Sequence, residues 1–106
     1  MDNFKAIYKI LSELDKAMDD SEFNIAKINH EAVGVSEERW TRYIEIMLDV
    51  GMIKGASIRS YIGGSVNVDI SNIRITLKGL EYLTENSIMQ RIYKAAKGIV
   101  DFVPGI

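Results

Sequence analysis

The sequence predicts a small α+β fold in which helices precede and follow a two-stranded β-hairpin. Apolar residues recur at helical spacing over residues 3–18 and 36–50. The helical period is lost over residues 52–75 and returns from residue 77 onward. With 106 residues, 47% of them hydrophobic, the chain fits one domain with its own core.

The helices before the hairpin are predicted from apolar stripes and capping residues. The first helix spans residues 3–18, and a single helical turn is predicted over residues 29–34. The helix over residues 36–50 has the clearest signals, because Ser36 is a good N-cap and Gly51 follows as a left-handed C-terminal residue. The stripe of the first helix consists of Phe4, Ile7, Tyr8, Leu11, Leu14 and Met18.

The register of the hairpin is predicted from the side chains that would face each other. Two β-prone runs flank a Gly-Gly dipeptide. A two-residue loop would place charged side chains opposite apolar ones. A three-residue loop over residues 63–65 instead pairs Ile58 with Ile70. The same register places Arg59 opposite Asp69, so apolar pairs share one face and polar pairs the other, and we prefer it.

The end of the chain is predicted to form two helices. Thr76 caps a helix over residues 77–86, and the Asn-Ser pair at residues 86–87 ends it and caps the last helix. We therefore divide the chain into a winged-helix domain over residues 1–86 and a C-terminal amphipathic helix over residues 87–106. This last helix packs on the domain or on a partner. In the helix over residues 77–86, the residues predicted to face inward are Leu77, Leu80 and Leu83.

The order of elements is typical of a winged helix-turn-helix with an added C-terminal helix. The helix over residues 36–50 takes the recognition position, and the glycine-tipped hairpin is the wing. Three segments, at residues 34–40 (GVSEERW), 48–55 (LDVGMIKG) and 75–83 (ITLKGLEYL), together resemble the YjcQ-like proteins of Firmicutes and their prophages. The resemblance implies a winged-helix-like fold and no known catalytic or binding residue.

Residue usage argues against several classes of function. The chain has no Cys and one His, which excludes thiolate metal sites, Cys nucleophiles and sites needing two imidazoles. His30 has no visible nucleophile partner. We therefore expect no enzymatic activity, no metal and no cofactor. No apolar run reaches the roughly 18 residues of a membrane-spanning helix, and no export signal is visible, so we expect a cytoplasmic protein without membrane contact.

The first functional hypothesis is a DNA-binding regulatory or accessory protein of prophage type. The candidate contacts to double-stranded DNA are Arg39, Thr41, Arg42, Lys54, Arg59 and Arg74. The charge of the recognition helix weakens this hypothesis, because residues 36–50 carry four carboxylates and two arginines, a net charge of −2. Residues 51–75 carry three basic residues and one acidic residue, a net charge of +2.

The alternative hypothesis is a protein-interaction or dimerisation module without DNA affinity. The last helix has more apolar positions than packing on one side of a small domain requires, unless the whole stripe packs on its own core. The candidate interface, with a second copy or another protein, consists of Ile88, Met89, Ile92, Tyr93, Ala96, Ile99, Val100 and Val103. The position of the basic residues separates the hypotheses. Convergence on one face favours DNA, and scatter favours the interaction module.

Overall fold

The computed structural model describes the backbone of residues 3–96 and the side chains of residues 3–86. The elements are α1 (Asn3–Lys16), α2 (His30–Val33), α3 (Glu37–Asp49), β1 (Ile53–Lys54), β2 (Ser57–Ser60), β3 (Val66–Asp69), β4 (Arg74–Ile75) and α4 (Leu77–Ala96). Short 3-10 turns at Ala17–Asp19 and Ile25–Lys27 connect α1 to α2. The order confirms the predicted α+β fold, with the arrangement of a winged helix and a C-terminal helix.

The apolar face of α1 forms one side of the core. Ala6, Ile10 and Leu11 are completely buried. Phe4, the first residue of the predicted apolar stripe, is 67% exposed and does not belong to the buried face of the helix. Phe4 lies in the first turn of α1 and lines a groove beside α3, and the neighbouring Asn3 accepts a hydrogen bond from the Tyr43 hydroxyl.

Capping residues mark both ends of the short helix α2 and the start of α3. The Asn29 side chain accepts a hydrogen bond from the Ala32 N–H at 2.8 Å. Gly34 ends the short helix with a φ of 81°, a left-handed conformation that favours glycine. The Ser36 hydroxyl accepts a hydrogen bond from the Arg39 N–H at 3.2 Å, which confirms the predicted start of α3.

The inner face of α3 packs into the centre of the domain. Ile44 and Met47 are fully buried, and Trp40 and Tyr43 are nearly so. The indole Nε1–H of Trp40 donates a hydrogen bond of 2.7 Å to the buried carbonyl of Ile28. Since an unpaired indole N–H would lose free energy on burial, this bond fixes which side of α3 faces inward.

The wing consists of two short antiparallel ladders in succession. At its base β1 pairs with β4, with Ile53 opposite Ile75 and Lys54 opposite Arg74. The outer ladder joins β2 to β3. The ladders are separated by a kink at Gly55, whose φ is +78° and whose Cα lies against the backbone of residue 72.

The predicted register of the outer ladder is wrong by two residues. Ile58 pairs with Val68 instead of Ile70, and Arg59 pairs with Asn67 instead of Asp69. The loop has three residues, as expected, but these are residues 62–64. The Tyr61 N–H donates to the Ser65 carbonyl at 2.8 Å and closes the loop.

The glycines and the core explain this register. Gly63 and Gly64 both have positive φ, at 101° and 88°, and therefore occupy the last two positions of the loop. Ile70 is buried in the core and does not belong to the ladder. Because the shift is two residues, each side chain keeps its predicted face of the ribbon.

The final helix is continuous where the sequence predicts a break. α4 runs from Leu77 to Ala96 through residues 86–87, because the Asn86 amide donates to the Tyr82 carbonyl at 2.9 Å instead of capping a new helix. The Thr76 cap is confirmed by the Gly79 N–H, which lies 3.3 Å from the Thr76 hydroxyl. The division at residue 86 remains a prediction.

The inward face of α4 differs from the prediction at its first residue. Leu83 is buried and Leu80 is half-buried, but Leu77 is 73% exposed. Leu77 and Leu83 are six positions apart, which places them about 120° apart around the helix. Over the described residues, no helix is both long and apolar enough to cross a bilayer.

The kink in the wing predicts a large penalty for Gly55→Ala. A Cβ at this position would lie 1.9 Å from the Asn72 carbonyl oxygen, and the positive φ would be strained as well. We expect a loss of roughly 3 kcal/mol in the free energy of unfolding, measured by urea denaturation. The control, Gly63→Ala, has positive φ but open space around it and should lose about 1 kcal/mol. Equal losses in the two variants would contradict the steric explanation.

Candidate functional site

The three α3 residues predicted to contact DNA each have a partner within the chain. Arg39 donates from Nη1 to the Asn3 side-chain oxygen at 2.8 Å. The Arg42 guanidinium lies 4.0 Å from a Glu45 carboxylate oxygen, in an exposed pair one helical turn apart. The half-buried Thr41 donates its hydroxyl to the Glu37 carbonyl at 3.0 Å. The Thr41 hydroxyl is therefore engaged with its own helix backbone.

The exposed face of α3 is acidic and partly apolar. Its exposed charged residues are Glu37, Glu38, Arg39, Arg42, Glu45 and Asp49. These exposed residues carry four negative and two positive charges, a net charge of −2. Ile46 is 45% exposed and Val50 is 47% exposed on the same side of the helix. This composition differs from that of a helix that approaches phosphates, where positive charge dominates.

A groove of about 630 Å³ separates α3 from the beginning of α1. Its apolar lining comes from Phe4, Ile7, Tyr43 and Ile46. Arg39 and Arg42 also line this groove. Apolar lining with a few polar groups at the edge is the usual composition of a binding surface for proteins or small ligands.

A second groove of about 720 Å³ lies at the other end of α1, beside the base of the wing. Lys54 and Arg74 line it as cross-strand partners, and both side chains are exposed. Two positive charges therefore lie directly opposite each other, an arrangement that lowers the stability of a β-ladder. Asp20 and Glu22 line the same groove. Within the part of the chain that the structure describes, no group of His, Asp and Glu side chains could hold a metal ion.

The structure divides the predicted basic residues into separate groups. Arg39 and Arg42 line the groove at Asn3, whereas Lys54 and Arg74 line the groove at Leu14. Asn3 and Leu14 are eleven residues apart on α1, or about 16 Å along the helix. Arg59 lies on the outer ladder of the wing. The basic residues therefore do not form one continuous patch.

The charge of Arg59 is balanced in part by Asp69. The side chain and the backbone N–H of Ser71 both donate hydrogen bonds to Asp69, at 2.7 and 2.9 Å. These bonds, and to a smaller extent the positive charge of Arg59, lower the pKa of Asp69 below its usual value of 3.8. Asp69 is therefore negatively charged at neutral pH and reduces the attraction of the wing for phosphate.

Sequence reasoning missed three exposed apolar side chains near α3 and in the wing. Ile46 and Val50 lie outside the buried stripe of α3, and Ile62 is fully exposed at the wing tip. The sequence contained a signal for Ile46, because this residue falls off the helical spacing that joins Trp40 to Met47, whereas Val50 follows Met47 by three residues and keeps that spacing.

The predicted C-terminal interface falls largely outside the described residues. Ile88, Met89, Ile92, Tyr93 and Ala96 belong to α4, but the described side chains end at residue 86. Ile99, Val100 and Val103 lie outside the described residues altogether. The participation of all eight residues in an interface remains a prediction.

The hydrogen bonds of Ser71 predict how the pKa of Asp69 responds to substitution. We expect Ser71→Ala to raise this pKa more than Arg59→Ala does, because Ser71 is the larger cause of the lowering. A pH titration followed by NMR measures both shifts. Since the folded-state pKa is lowered, the contribution of Asp69 to stability is complete above its unfolded-state pKa. It is lost as the pH falls through the folded-state value. A larger shift in the arginine variant would contradict this order.

Comparison with known proteins agrees with the sequence resemblance. A family model described as YjcQ protein matches residues 8–102, which include most of α1 and the whole winged-helix arrangement. No curated protein matches the chain. Because the family match covers most of the sequence, the chain belongs to the YjcQ family.

Proposed function

We propose that this winged-helix protein acts by binding protein through the α1–α3 surface, and not by reading duplex DNA with α3. The α1–α3 surface consists of Phe4, Arg39, Arg42, Ile46 and Val50. One observation carries the proposal: the exposed charged residues of the helix in the recognition position sum to −2, and this helix also exposes an isoleucine and a valine.

The electrostatics of α3 oppose DNA binding by this helix. Non-specific affinity for duplex DNA comes mainly from lysine and arginine side chains that neutralise phosphates. On α3, Arg39 is hydrogen-bonded to Asn3 and Arg42 lies near Glu45. The four carboxylates on the exposed face repel the same phosphates. The arginines alone are too few to reverse this balance.

The composition of the α1–α3 surface favours a protein partner. Protein interfaces combine a desolvated apolar centre with a polar rim, and arginine and aromatic residues contribute much of their binding energy. Phe4 and Ile46 line the groove, and Arg39 and Arg42 add positive charge. Three large apolar side chains that remain exposed on one side of a small domain are typical of an interaction site.

The second candidate function is duplex DNA binding by the wing, as a regulatory or accessory protein of prophage type. One observation favours it: Lys54 and Arg74 lie directly opposite each other with exposed side chains. A phosphate placed between them would relieve their mutual repulsion. Arg59, farther along the wing, would contact a neighbouring phosphate.

A DNA-binding assay at low ionic strength tests the proposal against this candidate. The probe is a fluorescently labelled duplex of mixed sequence, and its anisotropy is followed as protein is added. We expect a dissociation constant weaker than about 10⁻⁴ M even at low ionic strength, which is the weak end of non-specific binding at physiological salt.

Saturable binding that disappears in the R39A/R42A variant would show DNA recognition by α3 and would contradict the proposal. Saturable binding that disappears in the K54A/R74A variant would establish the second candidate instead. The two variants remove the same number of positive charges, so each serves as the control for the other.

A further inference from the structure

We infer that the partner of the α1–α3 surface is a second copy of this chain, with the two α3 helices packed antiparallel about a two-fold axis. The inference rests on the proposed function and names the occupant of that surface. The distribution of charged and apolar side chains along α3 supports this pairing.

One stripe of α3 contains charges of opposite sign at its two ends. Arg39, Arg42, Ile46, Asp49 and Val50 lie within about 100° of each other around the helix. All five are exposed to solvent. The two arginines occupy the first half of the stripe, and its carboxylate, Asp49, occupies the second half. A helix that is positive at one end of a stripe and negative at the other is complementary to its own antiparallel copy.

A two-fold axis that passes α3 midway between Arg42 and Ile46 brings the charges of opposite sign together. Arg39 is three residues before Arg42, and Asp49 is three residues after Ile46, so Arg39 lies opposite Asp49 of the second copy. Two-fold symmetry repeats the pair, which gives two identical interchain ion pairs. The aliphatic stem of Arg42 then lies against Ile46 of the second copy, with its guanidinium near Glu45 of that copy.

The same register avoids placing carboxylates opposite each other. Glu38 is four residues before Arg42, and Val50 is four residues after Ile46, so Glu38 faces the second copy's valine. A parallel arrangement in register would instead place each charge opposite itself. Like-charge contacts across an interface disfavour that orientation.

Apolar burial supplies the attraction, and the charges select the orientation. Exposed ion pairs contribute little affinity individually. Ile46 and Val50 would leave water at the helix contact, and Phe4 lies beside them at the edge of the groove. Antiparallel helices pack with their axes 8–10 Å apart, which is close enough for these side chains to meet.

Sedimentation velocity over a range of protein concentrations, at low ionic strength, tests the inference. The wild-type protein should form a reversible dimer. Arg39→Glu and Asp49→Arg should each weaken dimerisation about tenfold, because each turns two attractive pairs into repulsive ones. The double variant R39E/D49R should recover most of the lost affinity, since the pairs form again with reversed sign.

Two matched controls separate the interface from general effects of charge and hydrophobicity. Arg59→Glu makes the same charge change on the wing and should leave dimerisation unchanged. Ile46→Arg should abolish the dimer, whereas Ile62→Arg, at a more exposed isoleucine, should not. Circular dichroism verifies that each variant is folded.

A protein that stays monomeric at every concentration would overturn the inference. So would a dimer that is insensitive to Arg39→Glu, Asp49→Arg and Ile46→Arg, because its interface would lie elsewhere. Neither result decides the proposed function, which fails separately if α3 binds DNA in the anisotropy assay.

Discussion

The hydrogen bond from the Trp40 indole to the Ile28 carbonyl, and the burial around it, determine how α3 is rotated in this protein. The bond is 2.7 Å long and lies in the core, where neither group can turn to water instead. Any rotation of α3 would break it and would expose Ile44 and Met47, which are fully buried. The outward face of α3 is therefore a consequence of how the core packs.

The proposed function depends on which side chains that rotation leaves at the surface. In a winged helix the outward face of this helix is the one available to a ligand, whatever the ligand is. Here the face combines carboxylates, two engaged arginines and exposed aliphatic side chains. The family match establishes kinship with YjcQ proteins, and the chemistry of the face, not the fold, supports a protein partner.

Local signals in the sequence predicted the helices well where a cap and a buried stripe agree. Ser36 and Thr76 begin helices as expected, because a hydroxyl cap acts within one turn of the chain. The capping signal at Asn86 was misleading. This side chain can either bond to the preceding helical turn, as it does here, or cap a new helix. Tertiary packing decides which of these two arrangements forms, and the local sequence does not reveal that packing.

In the wing and at the surface, some features depend on tertiary contacts and could not be predicted from the sequence. The alternation of apolar and polar residues predicted the correct faces of the hairpin. Its register, however, followed from the two positive-φ glycines and the burial of Ile70. Arg39 and Arg42 were candidate site residues by type, and the charges of α3 were counted from the sequence alone, but the exposed Ile46 and Val50 were missed. What the sequence could not provide was the separation of Arg39 from Arg74 at opposite ends of α1, since this depends on tertiary contacts.

Residue-resolved NMR tests most directly whether α3 is a protein-binding face. Amide chemical shifts of the protein are compared over a dilution series, and again as duplex DNA is added at low ionic strength. The account predicts concentration-dependent shifts at Arg39, Arg42, Ile46 and Asp49, with no change at these residues on adding DNA. Shifts at the same residues that appear with DNA and are absent on dilution would contradict it.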